Sequence, residues 1–397
     1  MPWQGVTVEE QRSNFIRDWK LGFYSVSELA DYFGVSRKTA HKWINRFCEF
    51  GRQGFGELSR RPHSSPNQTP QYIVEELVRR RKARPHKGAK KLVDDIGRAR
   101  RQWTMPSIAT ANRILAREGL QQRRRSTRRM HPGCPKTIAG QPNDVWAIDY
   151  KGQFKLGNGR YCYPLTVSDL ASRYLLGCQA HHSPNHAQTK DYLRELFETY
   201  GLPERIRSDN GVPFATNALA RLSMLSVWFI RLGIYPELIE PGKPQQNGIH
   251  ERMHRTLKQE ATIPPSRSMS AQQRRFDAFR QEFNQERGHE ALGQQRPAEV
   301  YTPSPRLFPT RLNGYEYPAH YLVRKVSSAG TVRLFTNQFF VATPLAEQHI
   351  GFQEVDDRLY EVYFCFYLIG RYDARRKKLS DVISRVPVSY ARMERDA

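Results

Sequence analysis

The stretch Asp144-Val145-Trp146-Ala147-Ile148-Asp149-Tyr150 sets four apolar residues in succession and then reaches a carboxylate. So short an apolar run reads as a strand buried on both faces. Asp149 would then carry a charge into the interior, which is costly unless a partner or a cation holds it. The pattern returns in Arg205-Ile206-Arg207-Ser208-Asp209, a second strand closing on a second carboxylate, followed by the turn pair Asn210-Gly211. Between them, Tyr161–Asp169 and residues 174–179 read as two further strands of an antiparallel meander, and residues 185–200 as an amphipathic helix. A helix over 216–232, a short strand over 235–239 and a helix over 245–259 follow. Strands alternating with helices predict a mixed sheet covered by helices over residues 136–304.

Cutting a phosphodiester without a covalent enzyme intermediate needs an activated water and a stabilised leaving oxygen. Two Mg²⁺ ions about 3.5–4 Å apart supply both. Mg²⁺ prefers carboxylate oxygens and keeps several waters, so two or three Asp or Glu suffice. Asp149 and Asp209 each stand at a strand end, where neighbouring strands can bring them together, and Glu251 joins from the later helix.

The blocks Trp146-Ala147-Ile148-Asp149, Arg207-Ser208-Asp209-Asn210-Gly211 and Pro241-Gly242-Lys243-Pro244-Gln245-Gln246-Asn247-Gly248-Ile249-His250-Glu251-Arg252 resemble the three signatures of the DDE transposases of bacterial insertion sequences. The core of that family is similar to that of retroviral integrases and has the ribonuclease H fold. Arg287-Gly288-His289-Glu290-Ala291-Leu292 with Pro297-Ala298-Glu299-Val300-Tyr301 resembles the segment that closes it. The resemblance covers residues 20–305. It implies Asp149, Asp209 and Glu251 as catalytic and metal-binding residues, with two Mg²⁺ per site and Mn²⁺ able to substitute. It also implies in-line attack on a phosphodiester by water and then by a freed 3′-hydroxyl. Asp209 and Glu251 have 41 residues between them, against roughly thirty-five in the commonest family spacing. The helix over 216–232 is the expected home of the extra residues.

Glu251, Arg255 and Lys258 fall at i, i+4 and i+7 and so share one helix face, with His254 beside them. That face is expected to handle metal and DNA phosphate together, or to carry a Glu251–Arg255 ion pair worth a few tenths of a kcal/mol. Lys243, Gln246 and Asn247, in the loop before the helix, are expected DNA contacts. His250-Glu251-Arg252-Met253-His254 is also a literal HExxH, the zinc-protease pattern. No downstream Gly and His extend it, and a protease would leave Asp149, Asp209 and the basic N-terminus without a role.

The 397 residues carry a net charge of +24, and residues 1–135 hold 28 Lys and Arg against 12 Asp and Glu. An excess concentrated in the first third points to a phosphate-backbone partner. Within residues 1–62, residues 8–20 read as a helix, Ser27 as the cap of a second, Gly34 as a left-handed turn and Ser36 as the cap of a third. In the third, Ala40, Trp43, Ile44 and Phe47 make an inward stripe and leave Arg37, Lys38, His41 and Lys42 outward. This predicts a helix-turn-helix DNA-binding domain. Arg60-Arg61-Pro62-His63-Ser64-Ser65-Pro66 reads as a linker. Residues 63–135 are expected to hold a second, winged helix-turn-helix over 68–120, and then a basic tract with Arg123, Arg124 and Arg125 that tracks along phosphates. Residues 305–397 alternate as strands and predict a small β-barrel with the basic run Arg375-Arg376-Lys377-Lys378.

The chain thus reads as multidomain α/β: helix-turn-helix units, a ribonuclease H-like core and a terminal barrel. Its expected partners are double-stranded DNA, meaning element terminal repeats and target, and further copies of itself. Five unpaired cysteines, no apolar run of about eighteen residues and no signal-peptide pattern predict a cytoplasmic protein with no membrane association. A DNA-binding regulator that has lost catalysis is the other reading consistent with these motifs.

Overall fold

The computed structural model describes residues 7–57, 59, 66–121, 137–240 and 242–382. The linker residues 60–65 and the tract holding Arg123, Arg124 and Arg125 lie outside them. The chain forms two compact units, Met1–Thr69 and Pro70–Ala397.

The first unit is three helices, α1 (Val8–Leu21), α2 (Val26–Tyr32) and α3 (Arg37–Phe50), closed by a 3-10 turn at Gly51–Phe55. Thr7 and Glu10 cap α1 reciprocally. Ser25, not Ser27, caps α2, because Glu28 stands three residues after Ser25 and returns the hydrogen bond to its backbone. Gly34 takes φ +64° and Ser36 caps α3. Phe15, Ile16, Leu29, Ala30, Ala40, Ile44 and Phe55 form the core. Arg37, Lys38, His41 and Lys42 stay exposed along α3.

The second unit begins with α4 (Gln71–Ala83), α5 (Ala89–Ala99) and α6 (Ile108–Arg117), packed on Ile73, Leu77, Leu92, Ile96, Ala111 and Leu115. Among the described residues no strand accompanies these helices, so the expected wing is absent from them. Ion pairs tie the helices to later residues instead: Arg296 bonds Asp94 and Asp95 at 2.6 and 3.1 Å, and Lys87 and Arg84 meet Glu282.

The central sheet contains β1 (Val145–Tyr150), β2 (Phe154–Lys155), β3 (Tyr161–Asp169), β4 (Leu175–His181), β5 (Arg205–Ser208) and β6 (Tyr235–Leu238). Its order is β2-β3-β1-β5-β6, with β4 paired to β3. β1 runs antiparallel to β3 and parallel to β5, and β5 runs parallel to β6. This mixed order agrees with the expected ribonuclease H-like core. Side chains alternate across β1. Trp146 and Ile148 pack with α7 (His186–Tyr200) and α8 (Met224–Arg231), whereas Asp149 points to the opposite face. There lie α9 (Gly248–Ala261) and α10 (Met269–Gln285), packed through Met253, Leu257, Phe276, Phe279 and Phe283. One helical turn, α11 (Pro297–Val300), follows.

The expected helix over 216–232 is only half present. Ala220 and Arg221 both have positive φ, and a 3-10 turn there precedes α8. Ser223 then starts α8 with a capping box to Ser226.

The C-terminal strands are β7 (Leu322–Lys325), β8 (Thr331–Leu334), β9 (Asn337–Phe340), β10 (His349–Asp356), β11 (Leu359–Phe364), β12 (Tyr367–Asp373) and β13 (Lys378–Asp381). They make an open five-stranded antiparallel sheet, β13-β12-β11-β10-β7, and a separate β8-β9 hairpin, rather than a barrel. Alternation specifies one buried face, not closure. Here the β8-β9 hairpin, through Val332, Leu334 and Phe339, and α8, through Val227 and Ile230, share one core with Ile350, Phe352, Val362 and Ile369 of the open sheet. Among the described residues no helix is long and apolar enough to cross a membrane.

Candidate active site

β1 and β5 are in parallel register, with Val145 beside Arg205 and Ala147 beside Arg207. Continuing that register two residues places Asp149 level with Asp209, on the same face and at the carboxyl ends of both strands. β3 lies on the other side of β1, with Asp149 opposite Thr166. The first turns of α9 pass over Thr166 and Ser168. His250 bonds Ser168 through Nδ1 at 2.7 Å and Thr166 through Nε2 at 2.8 Å. His254 bonds the same Thr166 hydroxyl through Nε2 at 2.6 Å.

These contacts fix the rotation of α9 and bring Glu251 to Asp149. One ligand atom each from Asp149, Glu251 and His254 lies within 4.8 Å of the others. His254 Nδ1 is 3.6 Å from the Asp149 carboxylate and 3.9 Å from that of Glu251. Glu251 is 48% exposed at the rim, and Asp149 15% exposed below it. Asp209 stands outside this tight group, yet close enough for its charge to act on Asp149. The Gly211 N–H donates to Asp209 at 3.1 Å.

Burial pushes the Asp149 carboxyl up to about 8, and the charges of Asp209 and Glu251 reinforce it. Burial likewise raises Asp209, opposed by the Gly211 hydrogen bond. Asp149 and Asp209, both raised by burial, form with Glu251 a donor set that a divalent cation would relieve. His250 is driven down to about 3 by burial and then by Lys151. Burial, His250 and Lys151 lower His254 as well.

The loop leading into α9 is held from β5. Arg207 is 2% exposed and donates to Glu237 at 2.6 Å, to the Gln246 carbonyl at 3.1 Å and to the Thr137 carbonyl at 2.6 Å. Gln246 in turn exchanges hydrogen bonds with Glu240 at 2.8 and 2.9 Å. The strand carrying Asp209 and the helix carrying Glu251 are therefore tied through one guanidinium.

The residues expected to meet DNA separate into two groups. Lys243, Arg255 and Lys258 are exposed, and Lys243 also pairs with Glu240. Gln246, Asn247 and His254 are buried in the fold. Among the described residues no ion pair joins Glu251 to Arg255. The zinc-protease reading needs both imidazoles on one metal, but His250 has both ring nitrogens engaged by Ser168 and Thr166. The network of Thr166, Ser168 and Arg207 was not anticipated. Its signal was two hydroxyls alternating with Leu165 and Val167 in an otherwise apolar strand.

Two sequence profiles described as integrase core domain match residues 139–244 and 232–297. One described as the leucine zipper of insertion element IS481 matches residues 21–83. The chain is 28% identical over 208 residues to the insertion element IS407 uncharacterized 31.7 kDa protein of Burkholderia multivorans, covering 50% of this chain and 70% of that one. It is 29% identical over 181 residues to the insertion element IS476 uncharacterized 39.2 kDa protein of Xanthomonas euvesicatoria, covering 45% of this chain and half of that one. It is 31% identical over 131 residues to the Gag-Pol polyprotein of baboon endogenous virus, covering 33% of this chain and 7% of that one.

Proposed function

We propose that this chain, a DDE transposase of the insertion-element type with an integrase core, binds the terminal repeats of its own element and cuts and joins DNA strands there. DDE transposases are nucleotidyl-transferring enzymes, and the acidic cluster around Asp149 is a site of the kind such chemistry needs. The observation that carries the reading is the parallel register setting Asp149 level with Asp209, with Glu251 delivered from α9.

Asp149, Asp209 and Glu251 hold Mg²⁺, in two ions per site, with Mn²⁺ as a substitute. When bound, the metal would activate the attacking water or DNA 3′-hydroxyl and take up charge on the leaving oxygen. Arg255 and Lys258, exposed one and two turns beyond Glu251, meet the phosphates on either side of the scissile bond. Lys243 guides the strand toward the loop. Arg37, Lys38, His41 and Lys42 on α3 read the terminal repeat in the major groove. Arg123, Arg124 and Arg125 add phosphate contacts between the reading unit and the cutting core. Both element ends must be processed together, so the protein acts as a homo-oligomer on DNA, in the cytoplasm.

Incubation with a fluorescent terminal-repeat duplex and Mg²⁺ tests this. Strand cleavage that disappears in Asp149→Ala supports it. Sequence-specific binding without cleavage in the wild type sinks the enzyme reading and leaves a DNA-binding regulator.

A further inference from the structure

Thr166 is the centre of a hydrogen-bond network whose protons can be assigned. Its hydroxyl donates to the Asp149 carbonyl at 3.1 Å, which uses its only proton. The contacts from His250 Nε2 at 2.8 Å and His254 Nε2 at 2.6 Å to the same oxygen must then be N–H donors. His250 Nδ1 accepts from the Ser168 hydroxyl at 2.7 Å, completing that ring. His254 is left with a bare lone pair on Nδ1, and that atom is buried without any hydrogen-bond partner. The side chain is 1% exposed, so solvent does not reach it.

That lone pair faces the Asp149 carboxylate at 3.6 Å and the Glu251 carboxylate at 3.9 Å. Three acceptor atoms converge, an arrangement that a proton on a carboxyl or a cation between them relieves; at 3.6 and 3.9 Å neither carboxyl is within hydrogen-bond reach of Nδ1, which leaves room for a cation. Metal–ligand bonds of about 2.1 Å set neighbouring ligands roughly 3 Å apart and opposed ones roughly 4 Å apart. The two separations from His254 Nδ1, 3.6 and 3.9 Å, fall within that interval.

We infer that His254 Nδ1 is a nitrogen ligand to one of the divalent cations, making the site a mixed Asp149–Glu251–His254 donor set. This rests on the proposed metal site. It extends that site by one ligand outside the DDE triad and gives it a metal preference. Imidazole binds Mn²⁺ and later first-row ions better than Mg²⁺, which favours an all-oxygen shell. Thr166 and His250 hold the imidazole in the tautomer that ligation needs, as outer-shell groups do.

The test is pulsed EPR of Mn²⁺ bound to the full-length protein, with Mn²⁺ and Mg²⁺ affinities measured alongside. The wild type is expected to show nitrogen-14 modulation from a directly bound imidazole. His254→Asn is expected to keep Mn²⁺ but lose the modulation, with Mn²⁺ affinity falling about tenfold or more and Mg²⁺ affinity changing much less. Mn²⁺ bound in the wild type without nitrogen coupling overturns the inference and leaves the carboxylate site standing. This arm needs no variant to fold. Mn²⁺ binding that is absent, or that is indifferent to Asp149→Asn, overturns the carboxylate site and the ligand together.

Discussion

Helices α3 and α9 are both fourteen residues long, basic and amphipathic, and they use their polar residues in opposite ways. On α3 the inward face is apolar, and every basic residue of its first half stays in solvent. On α9 the inward face includes His250 and His254, which bury completely against Thr166 and Ser168. One helix is a platform whose charges are free to meet a partner. The other is locked by polar contacts so that a single acid, Glu251, projects at the rim. Recognition tolerates a mobile side chain, while metal chemistry needs each ligand placed to a fraction of an ångström.

The sharpest way to break this contrast is to release α9 from the sheet. Arg207→Ala strips a buried guanidinium from Glu237, which remains 5% exposed without its ion pair. Chemical denaturation should show a loss of about 3–5 kcal/mol. A change below 1 kcal/mol would mean that the loop before α9 is not held from β5.

The pH dependence of the metal-free protein gives the next effect. Asp149 is raised to about 8 in the fold, from about 3.9 in an unfolded chain. A raised carboxyl contributes stability that is full below the unfolded value and is lost as pH climbs through the folded one. His250 and His254 are depressed, so their contribution is lost only as pH falls below about 6.5. Between pH 6.5 and 8 the carboxyls dominate. In chelator the unfolding free energy should therefore fall as pH rises, by at most about 1.4 kcal/mol per pH unit for each proton, and the melting temperature with it. Mg²⁺ should flatten that slope, and so should Asp149→Asn. Equal slopes with and without Mg²⁺ would count against cation binding at Asp149.

A smaller effect checks the helix start in the first unit. Ser25→Ala should cost about 1 kcal/mol of thermal stability, and Ser27→Ala close to nothing. The reverse result would restore the cap at Ser27.

The smallest effects on stability, within about 0.5 kcal/mol, come from the exposed cations, yet they separate the two helices in function. Arg37→Ala with Lys38→Ala should weaken terminal-repeat binding and narrow its margin over unrelated duplexes, as loss of base-reading side chains does. Arg255→Ala with Lys258→Ala should slow cleavage at saturating DNA, lower the salt slope by about 2 and leave the preference for the terminal repeat over unrelated duplexes unchanged. Equal losses of that preference from both pairs would erase the distinction between reading and cutting helices.

The same contrast explains what could be read in advance. The stripe of Ala40, Trp43 and Ile44 was legible because its inward residues are apolar, and β1 and β5 were legible as short runs ending on acids. On α9 the burial of His254 was not legible, since nothing in its spacing shows that Thr166 lies beneath it. The Glu251 spacing looked anomalous, but residues 210–223 turn rather than extend α8, so the longer connection leaves the sheet register intact. α10 was missed because Gln and Arg dominate it, although Phe276, Phe279 and Phe283 mark its inward face. Closure into a barrel was not legible, because strand alternation marks one apolar side and does not say whether the sheet curls on itself or a hairpin and a helix cover it.

Single-turnover cleavage of a terminal-repeat duplex in Mg²⁺, with wild type beside Asp149→Asn, Asp209→Asn and Glu251→Gln, tests the central claim most directly. Each amide keeps the shape and removes a ligand charge. Every variant should bind the duplex as the wild type does and cut it at least about a thousandfold more slowly, the scale on which losing a core catalytic group acts. Cleavage within tenfold of wild type in any one of the three would remove that residue from the metal site and contradict the account.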